Sequence, residues 1–283
     1  MPLVSLEDML GEALKKKYAI GYFESWNLES LVGVLDAAEA KKSPVIVGFG
    51  GRVLGRPKDL EYYAAIGKVA PEKSRVPVNL ILNEASSLDQ IKRGVELGFS
   101  TVMMDGSRLS FAENVELTKS IVRIAHKAGV CVEGQVGTLP MAKDGEFKGD
   151  SDGSLTDPEM AAEFVQLTKI DALAISIGNI HLLRKGEAKI DLARLRRIRD
   201  LVGIPLVIHG GSGFPRDAVA GVIERGVCKF NVGTILRNAF SEGMKNSMVS
   251  EVNPEMISWA GASRMQKVVE DLMELYGSAG KAQ

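Results

Sequence analysis

Ile204-Pro205-Leu206-Val207-Ile208-His209-Gly210-Gly211-Ser212-Gly213 is an apolar, β-rich run that ends in a histidine and a glycine-rich turn. An amphipathic helical stretch over residues 215–225 follows it, and then a second apolar run, Cys228-Lys229-Phe230-Asn231-Val232, leads into Gly233-Thr234. Two short, near-continuously apolar strands joined by one helix predict a parallel β/α unit buried on both faces. The same alternation extends outward from this unit through the chain. Apolar runs fall at 19–23, 45–48, 78–82, 101–104, 130–133, 172–176, 206–208 and 228–232. Helical patterns lie between them at 28–41, 87–97, 111–127, 158–168, 192–201 and 215–225, and one more follows at 236–245. Eight such repeats predict an α/β fold of the closed (β/α)8 TIM barrel type. An open doubly wound sheet is the alternative, because closure cannot be read from periodicity.

The 283 residues suit one large barrel, and no linker or composition shift divides them, so a single domain over 1–283 is expected. The formal net charge is −1, which gives no reason to expect a nucleic acid or an anionic membrane as partner. No apolar run reaches the roughly 18 residues of a membrane span. The N-terminal segment is charged and amphipathic rather than a signal peptide. Cys131 and Cys228 lie in apolar runs and read as buried thiols in a reducing cytoplasm, with a disulfide left open. Asp157-Pro158-Glu159 offers an N-cap, a proline at the first helical position and an acid in the first turn. Gly98 and Gly226 follow helical stretches, where a terminating glycine is expected. The aperiodic segment 138–155, after the fifth strand, is the longest loop candidate and would overlie the active face as a lid.

Barrel chemistry gathers at the C-terminal ends of the strands. Those positions hold Glu24, Asn83, Glu84, Asp105, Gln135, His181, His209 and Asn231. Taken singly, each is equally well read as a strand cap. As a set they are polar residues recurring where separate strands end. His209 can present a ring nitrogen to a metal. The glycines after it, with Asn231-Val232-Gly233-Thr234 one unit later, form the usual phosphate-binding place of such barrels. His126 reads as a helix-surface or packing residue. Arg52 reads as an exposed loop arginine, with a second anion site as the alternative.

Several stretches carry a resemblance in order and spacing over nearly the whole chain. They include Met1-Pro2-Leu3-Val4-Ser5, Val102-Met103-Met104-Asp105-Gly106-Ser107, Thr156-Asp157-Pro158-Glu159, the run from His209 to Gly213, and Gly277-Ser278-Ala279-Gly280-Lys281. On these residues the chain resembles the zinc-dependent class II fructose-bisphosphate and tagatose-bisphosphate aldolases. The resemblance implies a barrel, a metal held by three histidines and a strand-three aspartate that moves protons. It places His181 and His209 at two of the metal positions. Gly210, Gly211, Ser212, Asn231, Gly233 and Thr234 fall in the substrate-phosphate region. Asp105 matches an acid that the family keeps beside the metal site or uses as an alternative ligand to the metal.

The family's His-Leu-Asp-His-Gly motif reads Ile81-Leu82-Asn83-Glu84-Ala85 here. Asn83 takes the aspartate's place in the catalytic set but has no ionisable proton. Glu84 replaces the third histidine, and two histidines with a carboxylate remain a legitimate divalent-metal set. Gln135 replaces the strand-five acid, and Leu182 replaces the glycine after the second histidine. Glu24, where the family usually has asparagine, could supply the missing carboxylate. The expectation is therefore a cytoplasmic lyase using zinc first and manganese second, acting on a phosphorylated ketose or keto acid with altered chemistry. A homodimer or homotetramer is the expected assembly. A Schiff base on Lys229 is disfavoured, and a silent homologue that binds a sugar phosphate or supports a partner subunit is the alternative.

Overall fold

The computed structural model describes residues 3–51, 54, 56, 58–143, 146, 155–181 and 188–282. Helix α1 (Leu6–Lys16) precedes eight strands: β1 (Ile20–Glu24), β2 (Val45–Gly50), β3 (Val78–Ala85), β4 (Thr101–Met104), β5 (Cys131–Val136), β6 (Ala172–Ile175), β7 (Leu206–Ile208) and β8 (Val227–Val232). Seven helices alternate with and follow these strands: α2 (Leu28–Lys41), α3 (Asp59–Lys73), α4 (Leu88–Glu96), α5 (Phe111–Lys127), α6 (Pro158–Thr168), α7 (Leu192–Leu201) and α8 (Val219–Glu224). Helices α9 (Thr234–Ser247) and α10 (Pro254–Leu275) complete the chain. The strands run β1 to β8 in sequence order and close on themselves. The parallel pairing of β1 with β8, with Tyr22 opposite Asn231, decides for the barrel over the open sheet.

All eight expected strands form, with ends shifted by up to three residues. Three helices, α1, α3 and α10, lie outside the helical stretches expected from the sequence. In α3, Pro71 interrupts the pattern. Helix α10 starts on Asn253-Pro254-Glu255, with Asn253 accepting the Glu255 N–H, which repeats the cap–proline–acid pattern of Asp157-Pro158-Glu159. Helix α1 is the amphipathic N-terminal segment, capped by Ser5, and its apolar face is buried. Gly98 and Gly226 take φ values of 89° and 95°, which end their helices as expected.

Two apolar clusters follow from the period-two alternation of the strands. One lies between the barrel and its surrounding helices. The other fills the inside of the barrel with Ile20, Ile46, Ile81, Met103, Cys131, Ala174 and Val207, and α1 seals its N-terminal end with Leu6, Met9 and Leu10. Two residues further along the inward faces, the side chains change to Tyr22, Asn83, Asp105, Glu133 and His209, and two further again to Glu24 and Gln135. The floor is thus apolar and the C-terminal mouth polar, as the sequence reading required. Cys131 and Cys228 are free buried thiols, which removes the disulfide alternative. Among the described residues no helix is long and apolar enough to cross a membrane.

Candidate functional site

A cavity of about 380 Å³ opens at the C-terminal mouth of the barrel. Its lining includes Glu24, Asn83, Glu84, Asp105, Gln135, His181, Gly210, Ser212, Asn231, Gly233 and Thr234. His209 lies beneath it, fully buried. The structure therefore gathers the strand-end residues expected from the sequence at one end of the barrel.

Glu84, His181 and His209 each offer a ligand atom, and these atoms lie within 4.8 Å of one another. Strand β3 presents Glu84 through a break in its ladder. The register with β4 shifts between Leu82 and Ala85, and Glu84 adopts φ +49°. A non-glycine residue in that region carries strain that the surrounding structure must hold, and such bulges redirect side chains at functional sites. His181 is tied through its backbone to the loop after β5: its N–H donates to Pro140 O at 2.9 Å, and its carbonyl accepts Ala142 N–H at 2.8 Å. Its ring lies 6.1 Å, centroid to centroid, from that of His209.

The orientation of His209 comes from a buried charge network. Its Nε2 lies 2.8 Å from Glu133 Oε1, and Lys229 Nζ lies 2.8 Å from Glu133 Oε2. Glu133, Lys229 and His209 are all at most 1% exposed. Burial works to raise the Glu133 pKa, but the Lys229 charge and the hydrogen bonds from His209 and Lys229 outweigh it and hold the carboxyl below its ordinary value. An ionised Glu133 accepts from Nε2–H, with Asn231 Nδ2 also 2.9 Å from that nitrogen; in the neutral ring this leaves the lone pair on Nδ1. Burial works to lower the His209 pKa, but Glu133 and Glu84 together outweigh it and raise it. Nδ1 is buried with no hydrogen-bond partner among the described residues and faces Glu84 Oε1 at 3.5 Å, too far for a good hydrogen bond. A buried lone pair aimed between a carboxylate and a second imidazole, with its other ring nitrogen held by a carboxylate, is the donor arrangement that divalent metals take. The residues present fit such an ion. Lys229 also donates to Asn231 Oδ1, and Asn231 Nδ2 donates to Asn83 Oδ1 at 3.3 Å. Asn83 thus acts here as an acceptor within this network.

Glu24 stands on the other side of the mouth. Arg237, in the first turn of α9, donates from Nη2 to Glu24 Oε1 at 2.7 Å, and its guanidinium lies 5.7 Å from the Trp26 ring centroid. Burial raises the Glu24 pKa, Arg237 partly opposes this, and the Glu84 charge adds to it. A carboxyl with a raised pKa can hold and release a proton nearer neutral pH.

The turn after β7 meets the start of α9. Gly210 takes φ +74°, and a Cβ there would come within 2.6 Å of Ile180 O, so only glycine fits. Ser212 Oγ accepts the Ile235 N–H at 3.1 Å, which fixes the turn to the first turn of α9. Helix α9 has Gly233 at its N-cap, which brings no side chain of its own, so Ser212 caps this end from the neighbouring turn. A glycine-rich turn beside a helix N-terminus is the kind of backbone that receives an anion.

Other expectations resolve individually. Asp105 lines the mouth and accepts the Ser107 N–H at 2.9 Å. Gln135 donates to Gly137 O at 3.3 Å. His126 is a surface residue of α5, 2.9 Å from Asp171 Oδ2 and remote from the mouth. Thr138, Leu139 and Met141, at the start of the lid candidate 138–155, line the mouth. Residues 144, 145 and 147–154 of that segment, together with Arg52 and Leu182, lie outside the described residues. The sequence reading missed Tyr22, Glu133, Arg237 and the anchoring role of Lys229. Glu133 and Lys229 did carry a signal: charges inside otherwise apolar strands must find one another.

Comparison with known proteins agrees with this geometry. A family model described as fructose-bisphosphate aldolase class-II matches residues 4–281. A fructose-bisphosphate aldolase of Geobacillus stearothermophilus is 37% identical, over all of this chain and 99% of the relative. A sulfofructosephosphate aldolase of Alkalicoccus urumqiensis is 35% identical, over all of this chain and 99% of the relative. The crystal structure of the YdjI aldolase from Escherichia coli K12 superposes with a TM-score of 0.87 at 31% identity, covering 99% of this chain and 100% of that one. With a closed barrel, a histidine–carboxylate cluster at its mouth and a family match from end to end, the chain belongs to the class II fructose-bisphosphate aldolase family.

Proposed function

We propose that this chain is a divalent-metal-dependent aldehyde-lyase that cleaves, or enolises, a phosphorylated ketose or keto acid. On this reading its proton-transfer group has moved from strand three to strand one. The convergence of Glu84, His181 and the unpartnered Nδ1 of His209 within 4.8 Å carries the reading. These three residues would hold the ion, zinc first and manganese second. When bound, the ion supplies Lewis acidity toward the substrate's carbonyl and hydroxyl oxygens. A carboxylate in place of an imidazole adds a harder donor and a negative charge. The site should therefore accept manganese more readily and polarise less strongly than three histidines do.

The chain's own residues do the remaining work. The backbone around Gly210, Gly211 and Ser212, with Gly233 and Thr234 at the start of α9, receives the phosphate. Asn231 is held between Lys229 and Asn83, so its amide is oriented before substrate arrives. Glu24 takes and returns the proton through Oε2, the oxygen that Arg237 does not engage. Asn83 cannot do this, because its amide does not ionise near neutral pH. Asp105 remains a nearby carboxylate at the rim.

The test is a screen of phosphorylated ketoses and keto acids for cleavage or for exchange of the α-proton, with and without added zinc or manganese. The reading expects metal-dependent turnover of at least one of them and loss of turnover in Glu24→Gln. Ligand binding without turnover under any metal would favour the second reading, a silent sugar-phosphate-binding homologue. The observation on its side is Asn83 in place of the family's aspartate.

A further inference from the structure

We propose that the Tyr22 hydroxyl is a substrate-binding group, donating a hydrogen bond to an oxygen of the phosphorylated ketose or keto acid. The inference rests on the function proposed above and adds a contact to the same site. Tyr22 lies on the inward face of β1, opposite Asn231 of β8 and Ile46 of β2. The residue is 2% exposed, and it lines the mouth. Its hydroxyl is buried and has no hydrogen-bond partner among the described residues. Lys229 Nζ sits 5.2 Å from the ring centroid and steadies the ring. The hydroxyl is thus held in place by a packed ring and yet paired with nothing among the described residues.

A phenylalanine would fill the same space without stripping water from a hydroxyl that gains no partner in return. The hydroxyl is therefore explained by something that enters the mouth. Other buried hydroxyls share the lack of a partner, at Ser25 and Ser176, but neither of those residues lines the mouth. Tyr22 also stays protonated: burial raises its pKa well above the ordinary phenol value, and the charges of Glu24 and Glu84 add to the rise. It can serve as a donor, which selects an oxygen of the ligand as its partner. Its place on β1, across from Asn231 and below Glu24, suits the carbon skeleton of the ligand. The phosphate end belongs to the Gly210–Ser212 turn after β7, on the other side of β8 from Tyr22.

Tyr22→Phe tests this, with calorimetric titration of inorganic phosphate and of dihydroxyacetone phosphate in zinc-containing buffer. A thermal melt of each unliganded protein completes the experiment. The expected result has three parts. Inorganic phosphate binds the variant as well as it binds wild type. Dihydroxyacetone phosphate binds the variant about fivefold to tenfold more weakly, the worth of one hydrogen bond. The unliganded variant melts no lower than wild type, because the lost hydroxyl had no partner. Equal affinity of both proteins for dihydroxyacetone phosphate overturns the inference alone. So does a lower melting temperature with matching losses for both ligands, which would mark a purely structural tyrosine. Wild type that binds dihydroxyacetone phosphate no better than inorganic phosphate overturns the proposed function, and this inference with it.

Discussion

A Cβ at position 233 would lie 2.4 Å from Oε2 of Glu24, so the glycine that follows β8 makes room for the carboxylate ending β1. Gly233 has φ −135° and ψ −58°, outside the left-handed region, and the close approach of Glu24 is what leaves no room for a side chain. The atom it would strike is the tip of a flexible side chain. Gly233→Ala should therefore fold with a stability change under about 1 kcal/mol, but push Glu24 out of its pairing with Arg237. Activity should fall about 10²-fold or more, the scale of a lost acid–base group. The double variant Gly233→Ala/Glu24→Asn should be no worse than Gly233→Ala alone, because both remove the same function. Steady-state kinetics and urea unfolding of the three variants check this, and additive losses would sink it.

Metal binding should depend on Glu84. Elemental analysis of the wild type should find a divalent ion, and Glu84→Ala should lose affinity for zinc by 10-fold or more in calorimetric titration. Two imidazoles alone are a poor set for zinc. A Glu84→His variant should shift preference back toward zinc over manganese. Equal affinity in wild type and Glu84→Ala would remove Glu84 from the site.

Cleavage of fructose 1,6-bisphosphate should be slow, because Asn83 replaces the acid–base residue of the family. A deficit of about 10²–10⁴-fold against the Geobacillus stearothermophilus relative is the expected scale. Asn83 Oδ1 already accepts from Asn231, and an aspartate oxygen would accept the same bond, so Asn83→Asp should fold normally and regain part of this cleavage. Coupled-assay rates for both proteins decide it. Wild-type cleavage at the relative's rate would contradict the altered chemistry.

The Glu133–Lys229 pair should matter to stability more than any surface ion pair. Removing one partner leaves a bare charge with no exposure to water, at a cost of about 3–5 kcal/mol. Glu133→Gln with Lys229→Met together should cost less than the sum of the single changes. The pH dependence follows from the lowered Glu133 pKa. Its stabilising contribution is present above the ordinary glutamate value of 4.5 and is lost as pH falls through the lower folded-state value. Urea unfolding from pH 7 downward should show this acid limb in wild type and a shallower one in Glu133→Gln.

Both cysteines should be inert in the folded protein. Burial pushes the Cys228 thiol up to about 12 and raises that of Cys131, so little thiolate exists near neutral pH. A thiol-titrating reagent should count no reactive groups in the native protein and two after denaturation. Rapid native labelling would show that one of these strands opens to solvent.

The eight β/α repeats were legible because a parallel strand buried on both faces has a simple signature: four or five apolar residues, then a turn, then a 3.6-residue period. The polar residues at the strand ends were legible for the same reason, since the apolar run shows where each strand stops. His181, His209 and Glu84 could thus be placed at one end of a barrel from their positions alone. Pairings across the barrel could not be read this way. Closure depends on Tyr22 meeting Asn231, and the two are separated by about three quarters of the chain. The bulge that turns Glu84 inward, the Glu133–Lys229 pair that selects the nitrogen His209 offers, and the room that Gly233 leaves for Glu24 arise only when distant strands become neighbours. Local sequence determined the kind of each element and the residues at its ends, because backbone preference and solvent exposure act over a few residues. The tertiary structure decided which groups face each other and which lone pairs go unpaired, because packing and charge pairing act between segments far apart in the chain.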